Sequence, residues 1–218
     1  MTKVFLSAGH GGSDPGAVAY GMKEKDINLI IMLACNEVLV KHGITTTMSR
    51  IKDENDPVAQ EVKEANASGA SLAISFHTNA GGGDGSETLY HSSSDKGKKL
   101  ANLCEKYVKV IGQNSRGIKE RNGLHFLNST KMTAVLCECA FIDNDKDNDV
   151  IDTIKEQKAF GIAYAKAILE YLGIEYKETT STKKYTVQVG SYKTKENANK
   201  ALKKVKAAGF TDAYVKTV

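Results

Sequence analysis

The fold can be predicted outward from the stretch Lys3-Val4-Phe5-Leu6-Ser7-Ala8-Gly9-His10-Gly11-Gly12-Ser13-Asp14-Pro15-Gly16. Its apolar first half predicts a short buried strand, and the glycines and proline of its second half cannot continue one. His10 lies where the strand gives way to the loop. The same transition recurs at His77 and at Glu138, each of which follows an apolar run.

Strands alternate with helical patterns along residues 1–173, with helices predicted at 24–42, 95–111 and 149–172. This alternation predicts an α/β fold with a mostly parallel, twisted sheet that is covered by helices on both faces. In such sheets, ligands bind beyond the carboxyl ends of the strands. His10, His77 and Glu138 are therefore predicted to share one site.

A fourth candidate for this site is Glu24, which begins a long helical pattern. Two histidines and one carboxylate are a ligand set for a zinc ion with an open coordination position, which leaves Glu138 as a general base. Taken singly, His10 also fits a surface turn, and Glu24 fits a first-turn acid favoured by the helix dipole. The loop at 11–12 lacks the Lys-Ser/Thr of a phosphate-binding loop, so we exclude that function.

Several local predictions accompany this fold. We expect Asp56 to cap a helix that Pro57 begins, and we expect a flexible loop at 81–85 beside the site. Residues 117–128 are interpreted as an irregular hairpin on the substrate side. Arg50 and Asp53 fit either a substrate contact or an exposed ion pair. The four cysteines are interpreted as small buried hydrophobic residues.

Composition is typical of a soluble globular protein, with 41% hydrophobic and 26% charged residues. No apolar run approaches the roughly 20 residues of a membrane span, so none is expected. Residues 1–173 hold 20 basic and 22 acidic side chains, net −2, whereas residues 184–218 hold 8 lysines and 2 acids, net +6. The basic tail is suited to a polyanionic partner, and no nucleic acid is expected as that partner.

The chain resembles the zinc-dependent N-acetylmuramoyl-L-alanine amidases of type 3, which act on the bacterial cell wall. The resemblance covers residues 1–173 and rests on four motifs in order: Gly9-His10-Gly11-Gly12 with Asp14-Pro15-Gly16, Gly21-Met22-Lys23-Glu24-Lys25-Asp26-Ile27-Asn28-Leu29, Ser75-Phe76-His77-Thr78-Asn79-Ala80, and Val135-Leu136-Cys137-Glu138 followed by Phe141-Ile142-Asp143-Asn144.

This resemblance implies that His10, Glu24 and His77 bind zinc and that Glu138 is the catalytic carboxylate. It implies hydrolysis of the amide between N-acetylmuramic acid and L-alanine of peptidoglycan. The chain departs from the family at positions 7–9, where Ser-Ala-Gly replaces the common Asp-Pro-Gly, and at Thr133, where a proline is common. Neither departure affects a ligand.

The tail is predicted to form a β-α-β unit that is similar to one half of a SPOR domain, a family that binds peptidoglycan. The predicted divisions are a catalytic domain at 1–173, a linker at 174–183 and this unit at 184–218. A unit of about 35 residues without cysteine is too small to fold alone easily. We therefore expect two chains to form a homodimer through residues 184–218; the alternative is a tail that docks on its own catalytic domain or is mobile. We also expect the basic unit to bind anionic wall polymers.

Two other functions remain open from the residues alone: a non-catalytic wall-binding module with a structural metal, and a zinc peptidase that acts on stem peptides. Because residues 1–3 lead directly into the first strand, no signal peptide is expected. Synthesis in the cytoplasm, followed by release through a holin or by lysis, would suit a phage endolysin or a mother-cell autolysin.

Overall fold

The structure is a computed structural model, which describes residues 2–178, 189–209 and 213–216. The chain divides into two compact units, Met1–Glu178 and Thr179–Val218. The strands of the first unit are β1 (Lys3–Ala8), β2 (Val18–Ala19), β3 (Met22–Lys23), β4 (Thr45–Met48), β5 (Leu72–Asn79), β6 (Ser86–Tyr90), β7 (Ser115–Glu120) and β8 (Thr133–Phe141). Its helices are α1 (Glu24–Lys41), α2 (Val58–Ala67), α3 (Asp95–Val110), α4 (His125–Ser129), α5 (Asp145–Asn148) and α6 (Ile154–Tyr171).

Six strands form one sheet in the order β4-β1-β5-β8-β6-β7, and β2 and β3 form a small hairpin. Strands β4, β1, β5 and β8 are parallel, whereas β6 runs antiparallel to β8 and parallel to β7. The prediction of an α/β fold with a mostly parallel sheet is confirmed. The parallel strands bring the ends of β1, β5 and β8 to one edge of the sheet.

The two faces of the sheet carry cores of different size. The larger core lies under α1, α3 and α6 and includes Ile74, Phe76, Cys137 and Tyr164. The smaller core includes Phe5 and Leu136 of the sheet and apolar residues of α2 and α4. Side chains alternate between the faces of a strand, so Glu138, two residues after Leu136, lies on the face of the smaller core.

Three predictions about local structure are wrong. Residues 117–128 contain the second half of edge strand β7 and the helix α4 rather than a hairpin. The helix expected at 149–172 begins at Ile154, where Thr153 and Glu156 form a capping box. Pro57 is the residue that precedes α2, so Asp56 does not cap that helix. The capping box is a local signal, since Thr153 is followed three residues later by Glu156, and it marks the start of the helix.

The glycine-rich loop at 81–85 is hydrogen-bonded along its length, although the sequence predicted a flexible segment. Asp143 accepts hydrogen bonds from the Gly81 and Gly82 amides at 2.8 and 3.1 Å. The Gly85 amide donates to Asp147 at 2.8 Å. All four cysteines are buried as free thiols, as predicted.

The described part of the second unit contains the helix α7 (Lys195–Ala207). The Thr194 side chain caps it by accepting a hydrogen bond from the Asn197 amide, as predicted, and no residue of the helix is buried. Residues 189–190 and 213–216 lie in no strand, although strands were expected there. A strand requires a paired neighbour, and these described residues provide none.

Residues 184–188, 210–212 and 217–218 lie outside the described residues, and much of the predicted β-α-β unit falls on them. The homodimer through residues 184–218 therefore stays a prediction. None of the helices in the described ranges has the length and hydrophobicity needed to cross a bilayer.

The burial of the Glu105 carboxyl on α3 can be tested through its effect on the pH dependence of stability. Glu105 accepts hydrogen bonds from the hydroxyls of Ser86, Thr88 and Ser115, the first two at 3.0 and 2.7 Å. Burial raises the pKa of Glu105, and these hydrogen bonds only partly oppose the rise. A raised carboxyl pKa contributes stability below the unfolded pKa of about 4.3, which is lost as the pH rises through the folded pKa.

We expect the melting temperature of the wild type, relative to that of Glu105→Gln, to be higher at about pH 5 than at about pH 8. Thermal unfolding at both pH values measures this difference. Glu170→Gln is the control, because hydrogen bonds from Lys106 and Tyr107 lower the pKa of the exposed Glu170 carboxyl. Its difference from the wild type should be the same at both pH values. An equally constant difference for Glu105→Gln would contradict the prediction.

Candidate metal centre

Three side chains from separate elements converge at the edge of the sheet. Ligand atoms of His10, Glu24 and His77 all lie within 4.8 Å of one another. Glu24 Oε1 is 3.3 Å from His10 Nε2 and 3.0 Å from His77 Nδ1. The two imidazole rings lie edge to face, with centroids 5.2 Å apart. This arrangement presents two ring nitrogens and one carboxylate oxygen to a common point.

The three side chains are positioned by a loop, a helix and a strand, respectively. His10 follows β1 by two residues and has a left-handed backbone, with φ of 65°. Glu24 is the first residue of α1. His77 lies within β5, which continues to Asn79, so the prediction that His77 follows its strand is wrong in this detail. Glu138 likewise lies inside β8, because pairing between β5 and β8 extends past both residues.

Two glycines make the convergence sterically feasible. A Cβ on Gly9 would lie 2.1 Å from the His77 ring, and one on Gly16 would lie 2.6 Å from Glu24 Oε2. Gly16 also has φ of 64°, which side chains rarely adopt. Only glycine at these positions lets the loop pass this close to the ligand side chains.

Glu24 is held by hydrogen bonds to both carboxylate oxygens. The Ala17 amide donates to Oε2 at 3.0 Å, and the Thr78 amide donates to Oε1 at 3.0 Å. Asn28, one turn further along α1, donates to Oε1 at 3.3 Å and to the Gly9 carbonyl at 3.1 Å. The carboxylate therefore has one fixed orientation towards the two histidines.

Asp14 orients the first histidine from behind. Its Oδ2 is 2.8 Å from His10 Nδ1, which leaves Nε2 directed at Glu24. A carboxylate on the second ring nitrogen is the usual means by which proteins fix a metal-binding imidazole. Hydrogen bonds to Glu24 and then to Asp14 raise the pKa of His10 to about 9 against the effect of burial. Asp14 was not predicted to have this role, although its spacing of four residues from His10 is visible in the sequence.

The charges of the cluster are strongly coupled. Burial opposes ionisation of Glu24, but hydrogen bonds from His10 and His77 outweigh it and lower the pKa of Glu24 far below its ordinary range. Burial also opposes protonation of His77, and the hydrogen bond to Glu24 reverses this effect and raises the His77 pKa. A cation at this point would replace the protons that the two histidines otherwise share with Glu24.

Glu138 lies beside the cluster without belonging to it. His77 and Glu138 are register partners on neighbouring strands, so their side chains leave the same face of the sheet. Glu138 Oε2 is buried and has no hydrogen-bond partner among the described residues. Burial raises the pKa of the Glu138 carboxyl to about 7, and the nearby His77 opposes the rise. The structure therefore places a buried carboxyl with a raised pKa next to three side chains that could hold a metal ion.

Arg50 is buried beneath the centre, so the expectation of an exposed ion pair with Asp53 is wrong. Its Nε donates to the Ala8 carbonyl at 3.0 Å, and Nη2 donates to the Lys25 carbonyl at 2.7 Å. These carbonyls immediately precede the loop of His10 and follow Glu24, so Arg50 joins two ligand-bearing segments. Asp53 pairs instead with Lys25 Nζ at 2.6 Å.

Three further polar residues, Asn79, His125 and His42, lie outside the cluster. Asn79 accepts a hydrogen bond from the Ala80 amide, and exposed His125 contacts Ser129 on α4. His42 stacks on Tyr176 with ring centroids 5.3 Å apart.

Comparisons with known proteins agree with this geometry. The model of the N-acetylmuramoyl-L-alanine amidase family matches residues 4–170, and that of the SPOR domain matches residues 165–218. A sporulation-specific N-acetylmuramoyl-L-alanine amidase of Bacillus subtilis is 32% identical over 96% of this chain and 83% of its own length. An endolysin of Bacillus phage SPP1 is 35% identical over 88% of this chain and 74% of its own length.

A similar fold is found in the catalytic domain of CwlV, an N-acetylmuramoyl-L-alanine amidase from Bacillus (Paenibacillus) polymyxa. That structure superposes with a TM-score of 0.74 at 30% identity and covers 80% of this chain and all of its own. The family match spans the sheet, the converged ligands and Glu138, and the chain belongs to the N-acetylmuramoyl-L-alanine amidase family, with a SPOR domain at its C-terminus.

Proposed function

We propose that this peptidoglycan hydrolase cleaves the amide between N-acetylmuramic acid and L-alanine, with zinc held by His10, Glu24 and His77 and with Glu138 as the general base. The observation that carries the assignment of roles is the buried Oε2 of Glu138, which has no hydrogen-bond partner in the described part of the chain, beside the three converged side chains. A structural metal site would have no use for a free carboxylate at that position. The non-catalytic wall-binding alternative is therefore disfavoured.

The three ligand side chains fit zinc by the chemistry of their donors. Two imidazole nitrogens and one carboxylate oxygen form a catalytic zinc set that leaves a fourth position open. When bound there, zinc supplies Lewis-acid polarisation of the scissile carbonyl and lowers the pKa of water to about 7. Asp14 on His10, and Asn28 with the Thr78 amide on Glu24, keep the donor atoms directed at the common point.

Glu138 moves the proton in this mechanism. Its carboxylate takes a proton from the attacking water and delivers it to the departing alanine nitrogen, which leaves as a neutral amine. Burial raises the pKa of the Glu138 carboxyl, which favours a group that first accepts a proton and then donates it. His77 is the register partner of Glu138 on the neighbouring strand, so the proposed base and this proposed ligand share one face of the sheet.

Analysis of digestion products tests the proposed function. Purified peptidoglycan is digested with the zinc-loaded protein, and the products are identified by mass spectrometry. The expected products are peptides with a free N-terminal L-alanine and glycan strands whose lactyl groups carry free carboxyls. A zinc peptidase would leave alanine attached to muramic acid, and a wall-binding module would release nothing. Either result would overturn the proposal.

We propose that the setting is lysis of the wall as a phage endolysin or a mother-cell autolysin. The relatives include both a sporulation-specific amidase and a phage endolysin, so both settings occur among similar chains. The proposed division of labour is catalysis by the first unit and wall attachment by the SPOR domain.

The basic C-terminal unit is proposed to bind anionic wall polymers. Its described helix exposes Lys203, Lys204 and Lys206. Screening shortens the Debye length from about 10 Å at about 0.1 M salt to about 3 Å at about 1 M. We therefore expect removal of residues 179–218 to weaken binding to purified walls more at low salt than at high salt, which a pelleting assay measures.

The truncation ends after Glu178 because Ile174 and Tyr176 pack against the core of the first unit. A triple variant with Gln at Lys203, Lys204 and Lys206 separates charge from the rest of the unit. It should lose part of the salt-dependent binding and keep the salt-independent part, because it removes three of the eight lysines of residues 184–218. Equal pelleting of the full chain, the truncated chain and the triple variant at every salt concentration would exclude an electrostatic role.

A further inference from the structure

A row of polar side chains runs across neighbouring strands, from β5 at the metal centre to the outermost strand β7. Glu138 has two register partners, His77 on β5 and Glu87 on β6, so the three side chains share one face. On the edge strand β7, Arg116 continues the row, with its Nε 3.0 Å from Glu87 Oε2. The mechanism above uses His77 and Glu138 and gives no task to Glu87 or Arg116.

Arg116 has unused hydrogen-bonding capacity. Nε is its one donor with a partner among residues 2–178, 189–209 and 213–216, and both Nη groups lack one there. Its guanidinium also lies over the Phe141 ring, 5.1 Å from the centroid, and its side chain is 41% exposed. A guanidinium held by an ion pair and an aromatic face, with free N–H groups, is suited to bind a carboxylate through two hydrogen bonds.

The Phe141 ring, over which the Arg116 guanidinium lies, is itself held in place by packing. The Phe141 ring occupies the space where a Cβ of Gly83 would lie, at 2.2 Å, so this glycine allows the loop to pack against the ring. The Phe141 amide donates a hydrogen bond to Asp147 at 2.6 Å, and Asp147 also accepts a hydrogen bond from the Gly85 amide. The loop and the strand that surround the guanidinium are therefore held in place by packing and by hydrogen bonds to Asp147.

Other cations near the centre have their donors occupied. Arg50 is buried and donates to backbone carbonyls, and Lys25 donates to Asp53 and to the Gly12 carbonyl. Arg116 differs because it combines exposure with two Nη groups that have no hydrogen-bond partner within the described residues, on the face that carries Glu138. This makes Arg116 the suitable anchor for an anionic part of the substrate.

We propose that Arg116 is a specificity-determining residue that binds the free carboxylate of an acidic residue following L-alanine in the stem peptide. The proposal rests on the proposed function, because it takes the peptide as the leaving side of the scissile amide. The lactyl carboxyl of muramic acid is consumed in that amide, so the negative charge near the bond comes from the peptide.

The distances are compatible with this assignment. Strands β8 and β7 are separated by β6, so Glu138 and Arg116 are about two strand spacings, or about 10 Å, apart at the backbone. An extended peptide advances about 3.5 Å per residue, and the arginine side chain spans part of the remaining gap. A carboxylate one residue beyond the alanine therefore falls within reach of the guanidinium.

The test compares two soluble muramoyl peptides that differ in one group: isoglutamate with a free α-carboxylate after alanine, or its amide, isoglutamine. We expect the wild type to prefer the carboxylate. Arg116→Gln should lower kcat/KM for the carboxylate substrate by about 10–100-fold, mainly through KM, and should largely abolish the preference. Arg116→Lys should restore part of the preference for the carboxylate substrate, because an ammonium keeps the positive charge but lacks the paired N–H donors of a guanidinium.

Arg121→Gln is the matched control, because Arg121 is an exposed arginine just after β7 whose Nη1 donates to the Glu120 carbonyl. It should keep the wild-type preference. An unchanged preference in Arg116→Gln would overturn the proposal. An equal loss on both substrates would also overturn it, since Arg116 would then act through Glu87 on Glu138 rather than on the peptide.

Calorimetry separates this proposal from the proposed function. The peptide L-alanyl-D-isoglutamate and its amide are titrated into zinc-loaded wild type and Arg116→Gln. Selective binding of the carboxylate by the wild type, without cleavage of muramoyl peptides, would refute the amidase function and support the subsite. Cleavage of both substrates without any selectivity in rate or binding would refute the subsite alone.

Discussion

Glu138→Gln should reduce kcat by about 10²–10⁴-fold and leave zinc binding intact. Glutamine has nearly the same shape as glutamate but cannot accept the proton of the attacking water. The ligand atoms of His10, Glu24 and His77 converge without any contribution from Glu138. Turnover of a soluble muramoyl peptide, together with zinc content by atomic emission, measures both expectations on one preparation.

The loss should not depend on a change in fold. Glu138 Oε2 has no hydrogen-bond partner in the described ranges, so its replacement breaks no internal bond of that atom. Removing a carboxyl whose pKa burial has raised should leave the melting temperature at or above that of the wild type at neutral pH. Glu37→Gln, an exposed change on α1, is the control for charge alone. Near wild-type turnover in Glu138→Gln would refute its role as the base.

The sequence was sufficient to predict which side chains meet at the centre. His10 and His77 follow or end apolar runs, and parallel pairing brings such positions to one edge of a sheet. For the two histidines, these features are local, and a parallel α/β sheet converts them into proximity. The position of Glu24 at the start of a helical pattern also fits a first-turn acid, and the resemblance to the family singled it out.

The rest of the site depends on contacts between distant segments, which a local pattern does not encode. Arg50 follows a short strand and is charged, so exposure was the natural expectation. It is buried because carbonyls of Ala8 and Lys25 receive its hydrogen bonds. Strand β7 was missed because the edge sequence Ser115–Glu120 is mostly polar and lacks strict alternation. With β7 missed, the position of Arg116 beside Glu87 was also missed.

His77→Ala should abolish zinc binding and activity together, which contrasts with the separation expected for Glu138→Gln. His77 Nδ1 lies 3.0 Å from Glu24 Oε1, so its loss removes one of three donors and one of the two histidine partners of Glu24. The apolar core beneath it is unchanged, since the side chain lies on the opposite face from Phe76. We therefore expect a folded protein that lacks the metal.

The response of stability to zinc provides the sharpest measurement of this loss. A ligand that binds only the folded state stabilises it by about 2.7 kcal/mol at a hundredfold excess over its Kd. The wild type should therefore melt at a clearly higher temperature with zinc than with a chelator, whereas His77→Ala should melt at the same temperature in both. His91→Ala, a change in a surface turn where His91 contacts Ser93, should keep the full zinc response. A zinc-dependent rise of the wild-type size in His77→Ala would show that the metal is held elsewhere, and the centre assigned to His10, Glu24 and His77 would be wrong.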